Sequence, residues 1–77
     1  MIMLEIQEQH GSGTAFLAIV EGQIPPPGTI IAVTANHPAA RPQHQGKNVY
    51  GKVEYTTYRP QGNNATVFLS DVKPSGQ

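Results

Sequence analysis

Val49-Tyr50-Gly51-Lys52-Val53-Glu54-Tyr55-Thr56-Thr57-Tyr58, then Arg59-Pro60-Gln61-Gly62-Asn63-Asn64, then Ala65-Thr66-Val67-Phe68-Leu69-Ser70-Asp71-Val72 is the stretch that decides the fold class. The first and last runs are rich in β-branched and aromatic residues, which fit a pleated, half-buried surface. Between them, Pro with Gly two places later is a strong turn signal. The reading is a β-hairpin. Strict alternation puts Val49, Val53 and Tyr55 on one face of its first strand, with a bend at Gly51. Tyr50, Lys52, Glu54, Thr56 and Tyr58 fall on the other. On the second strand Ala65, Val67 and Leu69 share a face, and Phe68 and Val72 lie opposite among Thr66 and Ser70.

Working outward, Thr29 to Ala35 is a third strand, β-branched and apolar on both sides, entered through the stiff corner Pro25-Pro26-Pro27-Gly28. Thr14 to Glu21 is also apolar on both faces. Its Gly brackets and its β-branched and aromatic content favour a strand, with a two-turn helix as the alternative. Ile2 to Gln9 alternates well, with Ile2, Leu4 and Ile6 on one side and Glu5, Gln7 and Gln9 on the other. The glycines of His10-Gly11-Ser12-Gly13 turn this strand into the next. Asn36 to Gly46 breaks all periodicity with two prolines, two histidines and two glutamines. Loops of that length in compact domains are often functional, so this one is expected to be a variable recognition element.

Composition supports an all-β chain. Gly and Pro occupy 15 of 77 positions, and no stretch between them exceeds 11 residues, which rules out long helices. Cys is absent, so no disulfide or thiolate metal site holds the chain together. Domains this small usually need a further source of stability, and oligomerisation is the common solution that remains. No apolar run approaches the roughly 20 residues of a membrane span, and the first residues lack a signal-peptide pattern. The expectation is a single β domain over residues 1–73 with 74–77 as a flexible tail, cytoplasmic, without a membrane partner. Net charge is zero, but residues 1–40 carry three acidic side chains and no Lys or Arg, and the remainder carries a matching basic excess. A dedicated duplex-binding protein normally shows a clear overall basic excess, which this chain lacks.

The pattern Gly28-Thr29-Ile30-Ile31-Ala32-Val33, an inserted loop, Tyr50-Gly51-Lys52-Val53-Glu54-Tyr55, then Thr66-Val67-Phe68-Leu69-Ser70-Asp71-Val72 resembles SH3-like small β-barrels over residues 28–72. From the residues themselves, about five short antiparallel strands form an all-β sheet, sandwich or small barrel, completed by oligomerisation, and the resemblance implies the barrel. Among such barrels the plasmid-borne dihydrofolate reductases are similar in length. They carry a Val-Gln-Ile-Tyr active-site motif where this chain has Val67-Phe68-Leu69-Ser70, so their activity is not carried over.

No residue is assigned to catalysis, metal or cofactor. His10, His37 and His44 sit in separate irregular positions and read as exposed loop histidines. Ser12 and Ser70 have no base and orienting carboxylate placed beside them by the sequence, so the enzyme question leans to no. Glu5 and Glu8 are read as solvated surface charge on opposite faces. The most suggestive surface is the row Tyr50, Lys52, Thr56 and Tyr58, flanked by Lys47, Arg59 and the His44 loop. Phe16 and Phe68 join Tyr50 and Tyr58 as expected contact residues, because three strands offer more apolar face than one small core can hide. The first functional expectation is a self-associating module that binds protein. Behind it rank single-stranded nucleic acid held by Tyr50, Lys52, Tyr58 and Arg59, and a small-molecule site at an oligomer interface.

Overall fold

Five strands, β1 (Ile2–His10), β2 (Gly13–Gly22), β3 (Ile30–Thr34), β4 (Asn48–Arg59) and β5 (Asn64–Pro74), make up a computed structural model that describes residues 1–75. Each occupies the segment where alternation and turn residues predict it, and 14–21 is strand. The strands form one curled sheet, a half-barrel, in the order β2-β1-β5-β4-β3. Three of its neighbouring pairs are antiparallel. The fourth, β1 with β5, is parallel, which corrects the expectation of an all-antiparallel sheet. A parallel pair needs a long crossover, and here β2, β3 and β4 together supply it. No helix among the described residues is long and apolar enough to cross a membrane.

The turns follow from their residues. Gly11 takes φ +59° at the first of two loop positions, as a type II′ hairpin demands, and His10 pairs with Gly13 across it. Pro60–Gly62 forms a single 3-10 turn, closed by Asn63 in the left-handed region. β5 ends at Pro74, and the Ser75 N–H donates to the Asn48 carbonyl at 2.9 Å. Of the expected tail, 76–77 lie outside the described residues.

The concave side holds the core: Leu4 and Ile6 from β1, Leu17 from β2, Val49 and Val53 from β4, and Ala65, Val67 and Leu69 from β5. Ala35 and Ala40, from the segment between β3 and β4, close it from above.

Three irregularities decide which side chains reach that core, and simple alternation cannot register them. Ile6 pairs with Ala18 and Gln7 with Phe16, so Leu17 is the extra residue of β2, and Leu17 and Ala18 are both buried. Val53 pairs with Leu69 and Tyr55 with Phe68, so Glu54 is extra in β4. Tyr55 therefore moves to the convex side, and Thr56 and Tyr58 move to the concave side opposite Val67 and Ala65. In β5, Asp71 takes φ +54° where Tyr50 pairs with Lys73 and Lys52 with Ser70. Val72 thereby turns onto the core, away from the side it was expected to share with Phe68.

Gly51 is the counterpart of this last bulge. A Cβ there would lie 2.9 Å from Val72 Cγ2, 3.0 Å from the Ser70 carbonyl and 3.2 Å from Leu69 Cβ. Gly51→Ala is expected to cost about 1–3 kcal/mol, the usual penalty of forcing extra volume into a packed site. Gly13→Ala meets nothing within 4 Å and should stay within about 0.5 kcal/mol of the parent. Urea unfolding of the two variants side by side measures the difference.

Candidate functional site

The convex face is where the sequence-predicted residues gather in part. Register carries one line of side chains across four strands: Phe16 of β2 beside Gln7 of β1, Gln7 beside Phe68 of β5, and Phe68 beside Tyr55 of β4. Tyr55 stacks on Phe68 with ring centroids 4.6 Å apart and planes 24° from parallel, and Tyr55 remains 46% exposed. Ile19 is likewise half exposed, one row away beside Glu5.

Polar groups border this line. Arg59 Nη2 donates to Thr66 Oγ1 at 3.3 Å, Thr66 Oγ1 donates to Glu5 Oε1 at 3.4 Å, and Arg59 Nη2 lies 3.7 Å from the same carboxylate oxygen. Ser70 Oγ donates to Glu54 Oε2 at 2.6 Å. Lys52 and Tyr50 stand exposed further along β4, beside Ile30 and Ala32 of β3. Tyr58 does not belong to the group. The Glu54 bulge turns it to the concave side, where its hydroxyl donates to Asn63 Oδ1 at 3.4 Å. The expected row of Tyr50, Lys52, Thr56 and Tyr58 is thus divided between two faces. Tyr55, which alternation assigned to the core, takes the central place.

The segment 36–46 closes the core with part of its length. Glu8 follows Leu4 and Ile6 onto the concave side and is buried, not solvated. Arg41 answers it with two parallel bonds, Nε to Oε2 at 2.9 Å and Nη2 to Oε1 at 2.8 Å. This fork matches the planar carboxylate and is the strong form of such a pair. The hydrogen bond to Glu8 raises the Arg41 pKa above its ordinary value, and the charge attraction adds to this while burial opposes it. His44 is buried too, with Nε2 3.5 Å from Glu8 Oε1 and 3.4 Å from Arg41 Nη2. Its Nδ1 has no partner among the described residues. His44 is therefore part of the interior and offers no exposed binding group.

Backbone bonds tie the rest of the segment down. The His37 N–H donates to the Leu17 carbonyl at 3.1 Å, and the His37 ring stacks on Phe16 at 4.4 Å. Gln45 Nε2 reaches the carbonyls of His37, Pro38 and Ala40. Of the three histidines only His10 is exposed, and no group of three or more metal-ligating side chains occurs among the described residues. The sequence signal that could have located Glu8 was its parity with Leu4 and Ile6.

Comparison with protein-family models, curated proteins and solved structures gives no match to this chain.

The Glu8–Arg41 pair makes an asymmetric prediction. The Arg41 side chain is 25% exposed and can reach water when its partner is lost, whereas that of Glu8 is 2% exposed and cannot. Arg41→Ala should cost about 3–5 kcal/mol by stranding a buried carboxylate, and Glu8→Ala should cost less. Denaturant unfolding of both variants at neutral pH tests the order.

Proposed function

We propose that this chain is a small self-associating β-sheet module that binds protein through its convex face. The observation that carries the reading is the line Phe16, Gln7, Phe68 and Tyr55, which runs in register across four strands with Tyr55 and Ile19 half exposed. An aromatic centre bordered by Glu5, Arg59, Lys52 and Glu54 has the anatomy of a protein interface, apolar in the middle and polar at the rim. Tyr and Phe on a rigid sheet present large contact areas at low entropic cost, which suits them as anchors. The SH3-like pattern of the sequence fits a small barrel used for binding, and it adds no particular partner.

The nucleic-acid alternative loses its main support once Tyr58 lies on the opposite face from Tyr50 and Lys52, and once Arg59 shares Glu5. Phosphate-binding cations need to stand free beside stacking rings.

Affinity capture with the tagged parent chain and with Tyr55→Ser, read by quantitative mass spectrometry, tests the reading. A set of proteins held by the parent and lost from Tyr55→Ser is expected. Equal capture by both chains, or binding of a labelled single-stranded oligonucleotide that weakens steeply with salt, would count against it.

A further inference from the structure

We infer that a second copy of this chain adds to the free edge of β3, antiparallel and centred on Ala32, joining two half-barrels into one continuous sheet. The inference rests on the self-association in the proposed function, and it names a surface distinct from the convex aromatic line.

The backbone of β3 sets up the edge. The Val53 N–H donates to the Thr29 carbonyl at 2.8 Å, and the Ala35 N–H donates to the Lys47 carbonyl at 2.8 Å. With the intervening register Ile31 to Gly51 and Val33 to Val49, Ile31 and Val33 turn their N–H and C=O groups toward β4, while the Thr29 N–H donates to the Pro26 carbonyl and the Ala35 carbonyl accepts from the Gly46 N–H. Ile30, Ala32 and Thr34 therefore point theirs away from β4, toward the open side of the half-barrel where β2 comes near β3. Apart from the Thr34 carbonyl, which accepts from the Asn36 N–H, these groups have no backbone partner among the described residues. What such an edge recognises is another extended backbone.

The two edges of the sheet are treated differently. On β2 the Leu17 bulge interrupts the strand, and the His37 N–H caps the Leu17 carbonyl. Proteins blunt an edge in just these ways, or with lysine and proline. On β3 there is no bulge in the register, no proline, and no charged residue anywhere from Gly22 to Ala40. An uncharged edge accepts an uncharged strand at the least desolvation cost, and this chain supplies one in β3 itself.

The sequence is suited to pairing with its own copy. A twofold axis through Ala32 places the smallest side chain of the strand against itself and sets Ile30 of each copy against Thr34 of the other. Ile30 is 60% exposed, more than any other residue of β3 that could drive burial. The position it reaches on the second copy adjoins a shallow open cavity of about 280 Å³, lined by Ala32, Val33, Thr34, Asn48 and Ser75. The same pairing forms about four new backbone hydrogen bonds, two at Ala32 and one at each end. The zero net charge of the chain places no long-range repulsion between copies.

The chain has no cysteine, so a single introduced thiol reads the geometry directly. Directly opposed hydrogen-bonded residues have Cα atoms about 5.5 Å apart, within disulfide reach. Under mild oxidation Ala32→Cys should cross-link to a covalent dimer within minutes, and Gln61→Cys, on the distant β4–β5 turn, should not. By light scattering the parent chain should dimerise. Ile30→Lys should weaken the dimer at least about tenfold while its circular dichroism stays that of the parent. A parent chain that is monomeric to millimolar concentration overturns the proposal, as does cross-linking of Gln61→Cys equal to that of Ala32→Cys. A dimer lost in Tyr55→Ser but kept in Ile30→Lys overturns the β3 edge and leaves the convex face as the site of self-association. Protein capture lost in Tyr55→Ser while the Ile30-dependent dimer persists leaves both surfaces in place. Equal capture by the parent and Tyr55→Ser beside an intact Ile30-dependent dimer removes the convex-face reading alone.

Discussion

Glu8 and Arg41 stand 33 residues apart in the chain, and their two-pronged ion pair is what makes the half-barrel a closed structure. A curled sheet of five strands leaves its concave side open at the top. The segment between β3 and β4 covers that opening and brings Arg41 to the buried carboxylate. With the guanidinium come Ala40 and His44, and the backbone contact between His37 and Leu17 secures the far end. Any other placement of the segment would leave a charge in the interior without a counter-charge, which costs several kcal/mol. The pair therefore acts more as a constraint on geometry than as a source of stability.

The second organising feature is the set of three bulges at Leu17, Glu54 and Asp71. Each adds one residue and reverses the parity of the residues after it. The bulge at Leu17 buries two consecutive residues. Glu54 brings Tyr55 out beside Phe68 and sends Tyr58 in, and Asp71 brings Val72 onto the core against Gly51. Together they gather aliphatic side chains on the concave side and leave Phe16, Phe68 and Tyr55 in a line on the convex side, with Tyr58 turned to the concave one. Bulges also bend strands, and a curled sheet of this width needs that bending.

These constraints divide the surface into parts with different chemistry. The convex face presents stacked rings within a polar border. The β2 edge is interrupted and capped. The β3 edge is straight, uncharged and has unpaired backbone groups. The irregular segment commits Ala40 and His44 to the interior, while Pro38, Ala39, Pro42 and Gln43 stay exposed on its outer side.

The strands themselves were legible because their causes are local. Period-two alternation, β-branched content and Gly or Pro punctuation act over a few residues, so all five segments and the Gly11 and Pro60–Gly62 turns can be read without any contact information. Phe68 and Lys52 were also placed on an outward face correctly, since no bulge lies between them and the residues that set their parity. What the sequence could not carry was anything decided by a neighbour distant in the chain. The parallel pairing of β1 with β5 depends on how the intervening strands pack, and the side on which Tyr55, Tyr58 and Val72 fall depends on where two paired strands slip by one residue. His44 and Arg41 look like solvent-exposed loop residues until Glu8 is known to face inward beneath them. A buried charge fixes the position of its counter-charge through space, and only the folded chain brings the two together.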